Sequence, residues 1–462
     1  MSNEAAALRG SMPQVPPPLP ESWSSMTGEE KHRYLINGWA STEGKPFRSS
    51  EIEEKYKRLT KRWLDAVALK EPDRVPKMFL SEDYIMEYAG CKAADTFYDQ
   101  EKAAGAHYAF HKEYDSDCSM LYMPPSGRAL DLLKYKLIRW PGSVLPTKLP
   151  DNVHFQYVEK EYMHTGDYEQ MIANPDGYLF RKFFSRIFDG LSGFEMLPTP
   201  YHVLEAGGVS SFLMPFAQGS PLRTAFDTLF KAADLAAADM AGVLRTAMRI
   251  LGDFGTPSLF GSATFAPFDL VGDTMRGTMA VMLDMFRRPD DLVRACEALV
   301  PISVQMAVEV AMVTRNPFVI IPLHKGAEGF MSQEQFVKFY WPTFRKQLLA
   351  IIDAGLIPLS FAEGTYTKRL DIIAESGLPA GKTVWLFERT DMKIAKEKLG
   401  GFACIGGNVP ASLFCSGTPQ MIKDYCKELM NIAAPGGGFF LSPGAVINQA
   451  KPENVRAFVN FK

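Results

Sequence analysis

Hydrophobic and polar positions in the last third of the chain fall into two alternating patterns. "NPFVIIPLH", "GLIPLSFAE", "KTVWLFE", "GFACIGGNV" and "GGFFLSPGA" are short, nearly continuous apolar runs ending in small or polar residues, the pattern of parallel strands buried on both faces. Helical spacing marks the segments between them. "SQEQFVKFYWPTFRKQLLAIIDAG" opens at Ser332 with Gln335 three residues on, a capping box, and stops at Gly355. "TYTKRLDIIAESG" and "TPQMIKDYCKELMNIAAPGGG" also begin at Thr and end at Gly. Strand and helix in strict alternation predict an α/β sheet with right-handed crossovers.

Upstream the pattern is looser. "DRVPKMFLS" near Asp73, "HFQYVEKEY" near His154 and "YHVLEAGGVSSFLMP" near Tyr201 are candidate strands, which brings the total to about eight, the number of a closed (β/α)8 TIM-type barrel. The expected organisation is a mobile Pro-rich tail with an N-terminal helical extension over 1–54, then a barrel over 55–462. Insertions such as "ANPDGYLFRKFFSRIFDGL" and "TLFKAADLAAADMAGVLRTAMRIL" would decorate the catalytic mouth. No internal repeat is present.

Composition narrows the function. Of 462 residues, 47% are hydrophobic and 22% charged, and the formal net charge is -3, which suits a globular chain and leaves no basic block for nucleic acid. The apolar runs stop well short of the ~20 residues of a membrane span. The N-terminal stretch has no apolar core of a secretory signal, so the expected address is cytoplasmic. Six cysteines without CxxC spacing argue against a disulfide framework and read as buried thiols.

In a barrel, chemistry gathers at the C-terminal ends of the strands. The last polar positions of the runs are His324, Glu363, Glu388, Asn408 and Ser442. Each has a plainer reading: Glu363 precedes Thr365 and could serve a helix start, His324 could be a hydrogen-bonded core side chain, Glu388 a solvated rim charge, and Asn408 a turn residue after Gly406 and Gly407. Farther up, Asp269, Asp273 and Arg276 stand where a loop enters a helix. Asp273 and Arg276 have the spacing of an i, i+3 ion pair; alternatively Arg276 is a clamp for a substrate carboxylate, with Asp273 beside it.

"ALKEPDRVPKMFLSEDYIMEYAG", "MSQEQFVKFYWPTFRKQLLAIIDAGLIPLSFAEG", "CIGGNVPASLFCSGTPQMIKDYCKEL" and "GGFFLSPGAVINQAKPENVRAFV" together resemble the uroporphyrinogen decarboxylase superfamily over roughly residues 55 to 462. That resemblance implies a (β/α) barrel and, among the activities of the superfamily, porphyrinogen decarboxylation or methyl transfer to and from corrinoid proteins. The decarboxylases carry arginines after the first strand; "FLSEDYIMEYAG" offers Glu82, Asp83 and Glu87 instead, a rim that repels a polyanion. The thiol methyltransferases hold zinc through a His-x-Cys-Gly stretch and a later cysteine. Here "FAEG" places Phe361 and Glu363 at the first two ligand positions and Ala411 near the third.

The resulting expectation is a corrinoid-dependent methyltransferase that demethylates a small methylated donor, a methoxylated compound among the candidates, and passes the methyl group to a separate corrinoid protein. Its catalytic residues would be Glu363 and His324, either as a proton donor pair or as candidate ligands of zinc, with Arg276, Asp273, Asn408 and Glu388 binding substrate. The resemblance also implies a homodimer. Two alternatives stand beside it: a lyase or decarboxylase of a non-porphyrin acid anchored by Arg276, and a barrel that binds without catalysis.

Overall fold

The computed structural model describes residues 19–146 and 148–462; the first eighteen residues of the expected Pro-rich tail lie outside the described part. The core is a six-stranded parallel sheet in sequential order: β1 (Ser262–Ala263), β2 (Phe318–Leu323), β3 (Ile357–Ala362), β4 (Val384–Phe387), β5 (Cys404–Val409) and β6 (Phe439–Pro443). Both faces are buried, which explains the continuous apolar runs. Leu359, Phe361, Leu386, Cys404 and Phe440 belong to one apolar cluster, whereas their neighbours Trp385, Phe387, Ile405 and Leu441 pack in another. Gly406 has no side chain because the Phe440 ring occupies that space: a Cβ there would stand 2.0 Å from it.

Two irregular extended segments complete an eight-membered TIM-type barrel. Residues 76–81 run parallel to β6, with the Met78 N–H donating to Leu441 O and the Leu441 N–H to Pro76 O, each at 2.9 Å. Residues 117–122 run beside the segment leading to β1, with the Ser119 N–H donating to Pro257 O at 2.8 Å. The seam between these two segments is made by side chains. The Lys77 N–H donates to the Asp117 carboxylate at 2.8 Å and the Cys118 thiol lies 3.9 Å from Lys77 O.

Of the three early strands expected, "DRVPKMFLS" contains the first barrel segment. "HFQYVEKEY" contributes only Gln156–Tyr157, paired antiparallel with Ile138–Arg139 outside the barrel. "YHVLEAGGVSSFLMP" is not a strand; it folds into short helical turns from Pro200 to Phe216, since a short apolar run with a Gly pair fits either period. The true second and third positions, "DCSMLY" and "SLFGSA", are rich in small and polar residues and give no apolar run.

The surrounding helices include α1 (Ser50–Val67), α2 (Pro221–Phe254), α3 (Pro289–Thr314) and α4 (Trp341–Asp353). The boundary drawn at residue 54 falls inside α1, whose Trp63 packs on Phe440 in the barrel at 5.5 Å between ring centroids. By length and composition α3 is apolar enough to cross a membrane; here it is a layer helix, burying Leu292, Cys296, Leu299 and Ala307. The capping box at Ser332 is present, with reciprocal bonds to Gln335 at 3.2 and 2.9 Å. Between it and α4, residues Phe336–Tyr340 form a π turn just before Pro342, which has no N–H to continue an α ladder.

Asp117 ties the barrel's side-chain seam to α1. Almost fully buried, it accepts from Arg62 at 2.7 Å, from Arg74 at 2.6 Å and from the Lys77 N–H. Asp117→Ala removes the buried carboxylate shared by Arg62 and Arg74 and leaves the buried Lys77 N–H without its acceptor, so chemical denaturation should show a loss of ~3–5 kcal/mol. Asp73→Ala, which removes a half-exposed partner of the same Arg62, should cost at most ~1 kcal/mol.

Candidate active site

The strand ends deliver their polar residues to one mouth, organised by a buried carboxylate. After β1 the chain turns through Pro267–Asp269 into a π segment, Leu270–Met275. Asp269, fully buried, accepts the N–H of His324 at 3.2 Å, the N–H of Lys325 at 3.0 Å and the Tyr340 hydroxyl at 2.7 Å. Burial, and then the charge of Asp273, push its pKa up to about 6. Tyr340 reaches it from the π turn ahead of α4.

Asp273 receives His324 Nδ1 at 2.6 Å and Lys325 Nζ at 2.8 Å. Burial works to raise its pKa, but the two cations outweigh burial and hold the carboxyl below its ordinary range. For His324 burial works against the charged ring; the Asp273 hydrogen bond and the charges of Asp269, Asp273 and Glu363 prevail and push the imidazolium pKa up to about 9. The ring is therefore protonated at neutral pH. Its other nitrogen, Nε2, stands 3.8 Å from Glu363 Oε1 at the end of β3. Burial raises the Glu363 pKa, His324 opposes the rise, and Glu388 adds to it. Lys325 Nζ also meets Thr278 Oγ1 at 2.9 Å and Glu159 at 3.4 Å.

Glu388 and Asn408 occupy the same end of the barrel, where each also makes hydrogen bonds within the fold. Glu388 accepts the Gly364 N–H at 2.5 Å and Arg389 Nε at 3.0 Å, which fixes the loop behind Glu363. Asn408 donates to Thr390 O at 2.8 Å and, with Glu388, lines a separate groove of about 840 Å³ that also includes Thr367, Asp391 and Tyr425. Glu363 does not cap a helix: the next turn, Thr367–Arg369, has Tyr366 at its N-cap and no side-chain cap.

The structure corrects Arg276. Its guanidinium is 3% exposed and is consumed by Asp284 at 2.6 Å, by Glu161 and by the carbonyl of Met163, so it has no donors left for a substrate carboxylate. Nor does it pair with Asp273. The expected i, i+3 contact assumes α geometry, and this segment is bonded i→i+5, with the Arg276 N–H donating to Val271 O at 2.7 Å.

A cavity of about 110 Å³ opens beside His324, walled by Tyr157, Glu159, Phe265, Asp273 and Lys325. The strand-end rule overlooked Tyr157 and Glu159, which come from the 153–163 segment laid over the mouth, and Tyr340, which comes from a helix. Lys325 was the next residue after a chosen one; "HKG" at a strand end was its only signal. His324 Nε2 and Glu363 offer two donors where a catalytic zinc takes three protein ligands, and the adjacent Asp273 is already held by Lys325 and Nδ1. Among the described residues no group of three His, Cys, Asp or Glu side chains is placed to hold a metal. The donor set does not fit a catalytic zinc.

A barrel with an acid–base cluster at the C-terminal ends of its strands is an enzyme scaffold. The chain belongs to the uroporphyrinogen decarboxylase family, whose model matches residues 217–462, more than half its length. Among the solved structures that match is a methyltransferase from Methanosarcina mazei, at 17% identity and a TM-score of 0.54, covering 88% of this chain and 97% of the other; likeness at that identity concerns the fold. No curated protein sequence matches.

The raised His324 pKa has a consequence for stability. The folded chain keeps this proton to higher pH than the unfolded chain does, so the contribution is complete below the ordinary histidine value and is lost as pH rises through about 9. Asp273→Asn should bring the His324 titration, followed by NMR, down by at least ~1 unit. Urea unfolding should then lose much of its decline across that pH window.

Proposed function

We propose that this chain is a cytoplasmic methyltransferase that takes a methyl group from a small methoxylated donor and passes it to the corrinoid of a separate protein. The observation that carries the reading is the His324 imidazolium, held through Nδ1 by Asp273 with its Nε2–H turned toward Glu363 beside a small cavity. A methyltransferase among the matching structures supports methyl transfer as the reaction, and the family supplies the barrel that carries it. The cavity, at about 110 Å³, is somewhat smaller than the ~150 Å³ that holds benzene, so the donor is at most about one ring in size.

Cleaving a methyl–oxygen bond leaves its electron pair on oxygen, and that oxygen must be protonated. His324 gives up its Nε2 proton to the leaving oxygen as the methyl group departs to the acceptor. Neutral imidazole is recharged from solvent through Glu363, the more exposed of the two. Tyr157 and Phe265 bracket the donor, and Lys325 keeps Asp273 ionised so that His324 starts protonated. The lyase reading loses its support with Arg276, which was its carboxylate anchor.

With reduced corrinoid and a panel of methoxylated donors, methyl transfer is followed by the change in the cobalt spectrum. His324→Ala should lower kcat by ~10²–10⁴, and Glu363→Gln by ~100-fold, without unfolding. The wild-type rate should fall as pH rises through about 9, as His324 loses its proton. Normal turnover by Glu363→Gln, or stoichiometric zinc that His324→Ala abolishes, would overturn the proton-donor assignment.

The rim after the first strand should refuse porphyrinogens. Glu82 and Asp83 stand there, 3.2 and 3.1 Å from His154. Incubation with uroporphyrinogen should yield no decarboxylated product.

A further inference from the structure

The ends of the first two barrel segments wall a second cavity at the same mouth. Residues 76–81 lead into Glu82 and Asp83, residues 117–122 end in Tyr122, and His154 and Phe155 reach over from the 153–163 segment. The space measures about 30 Å³, room for a group the size of a water molecule or an ammonium.

Its charges do not balance. His154 lies between the two carboxylates, with Nε2 3.2 Å from Glu82 and Nδ1 3.1 Å from Asp83. Burial works to lower the His154 pKa, but the Asp83 hydrogen bond and the charges of Glu82 and Asp83 prevail and raise it. Two carboxylates against one imidazolium leave one negative charge over. Burial raises the Glu82 pKa, His154 opposes the rise and Asp83 adds to it, so this carboxylate is one that a further cation would stabilise.

A buried histidine faces the same space with nothing to bind. His107, from the helix Gln100–Glu113, is 3% exposed and lines the cavity. Among the described residues its ring makes no hydrogen bond. Burial pulls its pKa down to about 4, so the ring is neutral at physiological pH and one nitrogen keeps a free lone pair. Buried polar groups in a folded chain are normally satisfied, and the partner this one lacks is a donor from outside the fold.

The chemistry of the occupant follows from these groups. Glu82 and Asp83 are acceptors, His107 adds its lone pair, and an ammonium brings three donors with one positive charge. Tyr122 and Phe155 add aromatic faces of the kind that attract cations. A carboxylate would meet like charge there; a hydroxyl would leave the charge unbalanced.

Tyr157 links this cavity to the first. It walls the space beside His324, and burial, then the charges of Asp273, Glu82 and Glu363, raise its pKa. A molecule of about one ring passing Tyr157 thus has His324 at one end and Glu82 at the other.

We propose that the second cavity seats an ammonium group, so that the donor is a methoxylated amine with its methyl end at His324 and its charged end among Glu82, Asp83 and His107. The methyl end rests on the reaction proposed above. The ammonium seat rests on the second cavity alone.

Calorimetric titration of the full chain compares three probes of one shape. Binding of meta-methoxyphenethylamine should be at least ~10-fold tighter than that of meta-methoxyphenethyl alcohol, with meta-methoxyphenylacetate the weakest. Phenethylamine, which has no methyl group to give, should keep the same preference over phenethyl alcohol. Glu82→Gln preserves shape and should abolish the preference; Asp83→Asn is the second variant and should reduce it if the first fails to fold. His107→Leu should weaken amine binding by ~10-fold. Equal affinity for amine and alcohol, tighter binding of the acid, or a preference that survives both carboxylate variants overturns the seat. Amine binding that shows this preference without methyl transfer counts against the reaction and upholds the seat.

Discussion

A carboxylate shut away from water sets the geometry of the mouth. Asp269 is fully buried, and an ionised carboxylate is tolerable there only with its lone pairs satisfied; the two N–H groups that follow β2 and the Tyr340 hydroxyl do this. Because it accepts from both His324 and Lys325, the chain leaves β2 in one direction, with imidazole and ammonium on either side of Asp273. Tyr340 adds a demand on the helix layer. Its hydroxyl reaches Asp269 from a π turn, so the irregularity forced near Pro342 becomes part of the site.

From this anchor a row of charges of alternating sign runs across the opening: Glu363, His324, Asp273, Lys325, Glu159, with successive contacts between 2.6 and 3.8 Å. Alternation lets five ionisable groups share a half-buried space, because each interior charge has an opposite neighbour on both sides. The ends of the row differ from its middle. Glu363 has one cationic partner, the longest contact and a raised pKa, which makes it the group least held by the row. The carboxylate at the end of β3 thus faces a histidine and not a helix start.

What was legible in the sequence followed from burial. β2 to β6 are covered on both faces and wrote themselves as apolar runs, so their ends, including His324 and Glu363, were found without any motif. Residues 117–122 and the short β1 pair irregularly and lean on Asp117 and serine backbones, so they left no such run. Arg276 was misread for a geometric reason: spacing arguments assume 3.6 residues per turn, and a π segment shifts which residues share a face. Tyr157 and Glu159 were out of reach because their place depends on how a long connection folds back, with Met163 bonded to Met275 and Glu161 to Arg276.

The division of labour in the mouth follows the same line. The acid–base groups His324, Asp273 and Glu363 lie inside the stretch that the family model matches, 217–462, on or beside regular strands that hold their position. Two residues of the cavity wall, Tyr157 and Glu159, come from the segment ahead of that stretch, pinned to the barrel by Lys325 and Thr278 at one point and by Arg276 at another. Arg276 thus acts on the cavity wall although it does not line the cavity. By holding Glu161 and the Met163 carbonyl it fixes the segment that carries Tyr157 and Glu159. A shared core can keep the arrangement of His324, Asp273 and Glu363 while the wall changes with the segment laid over it, so the family match speaks to the barrel and residues 153–163 to what is particular to this mouth.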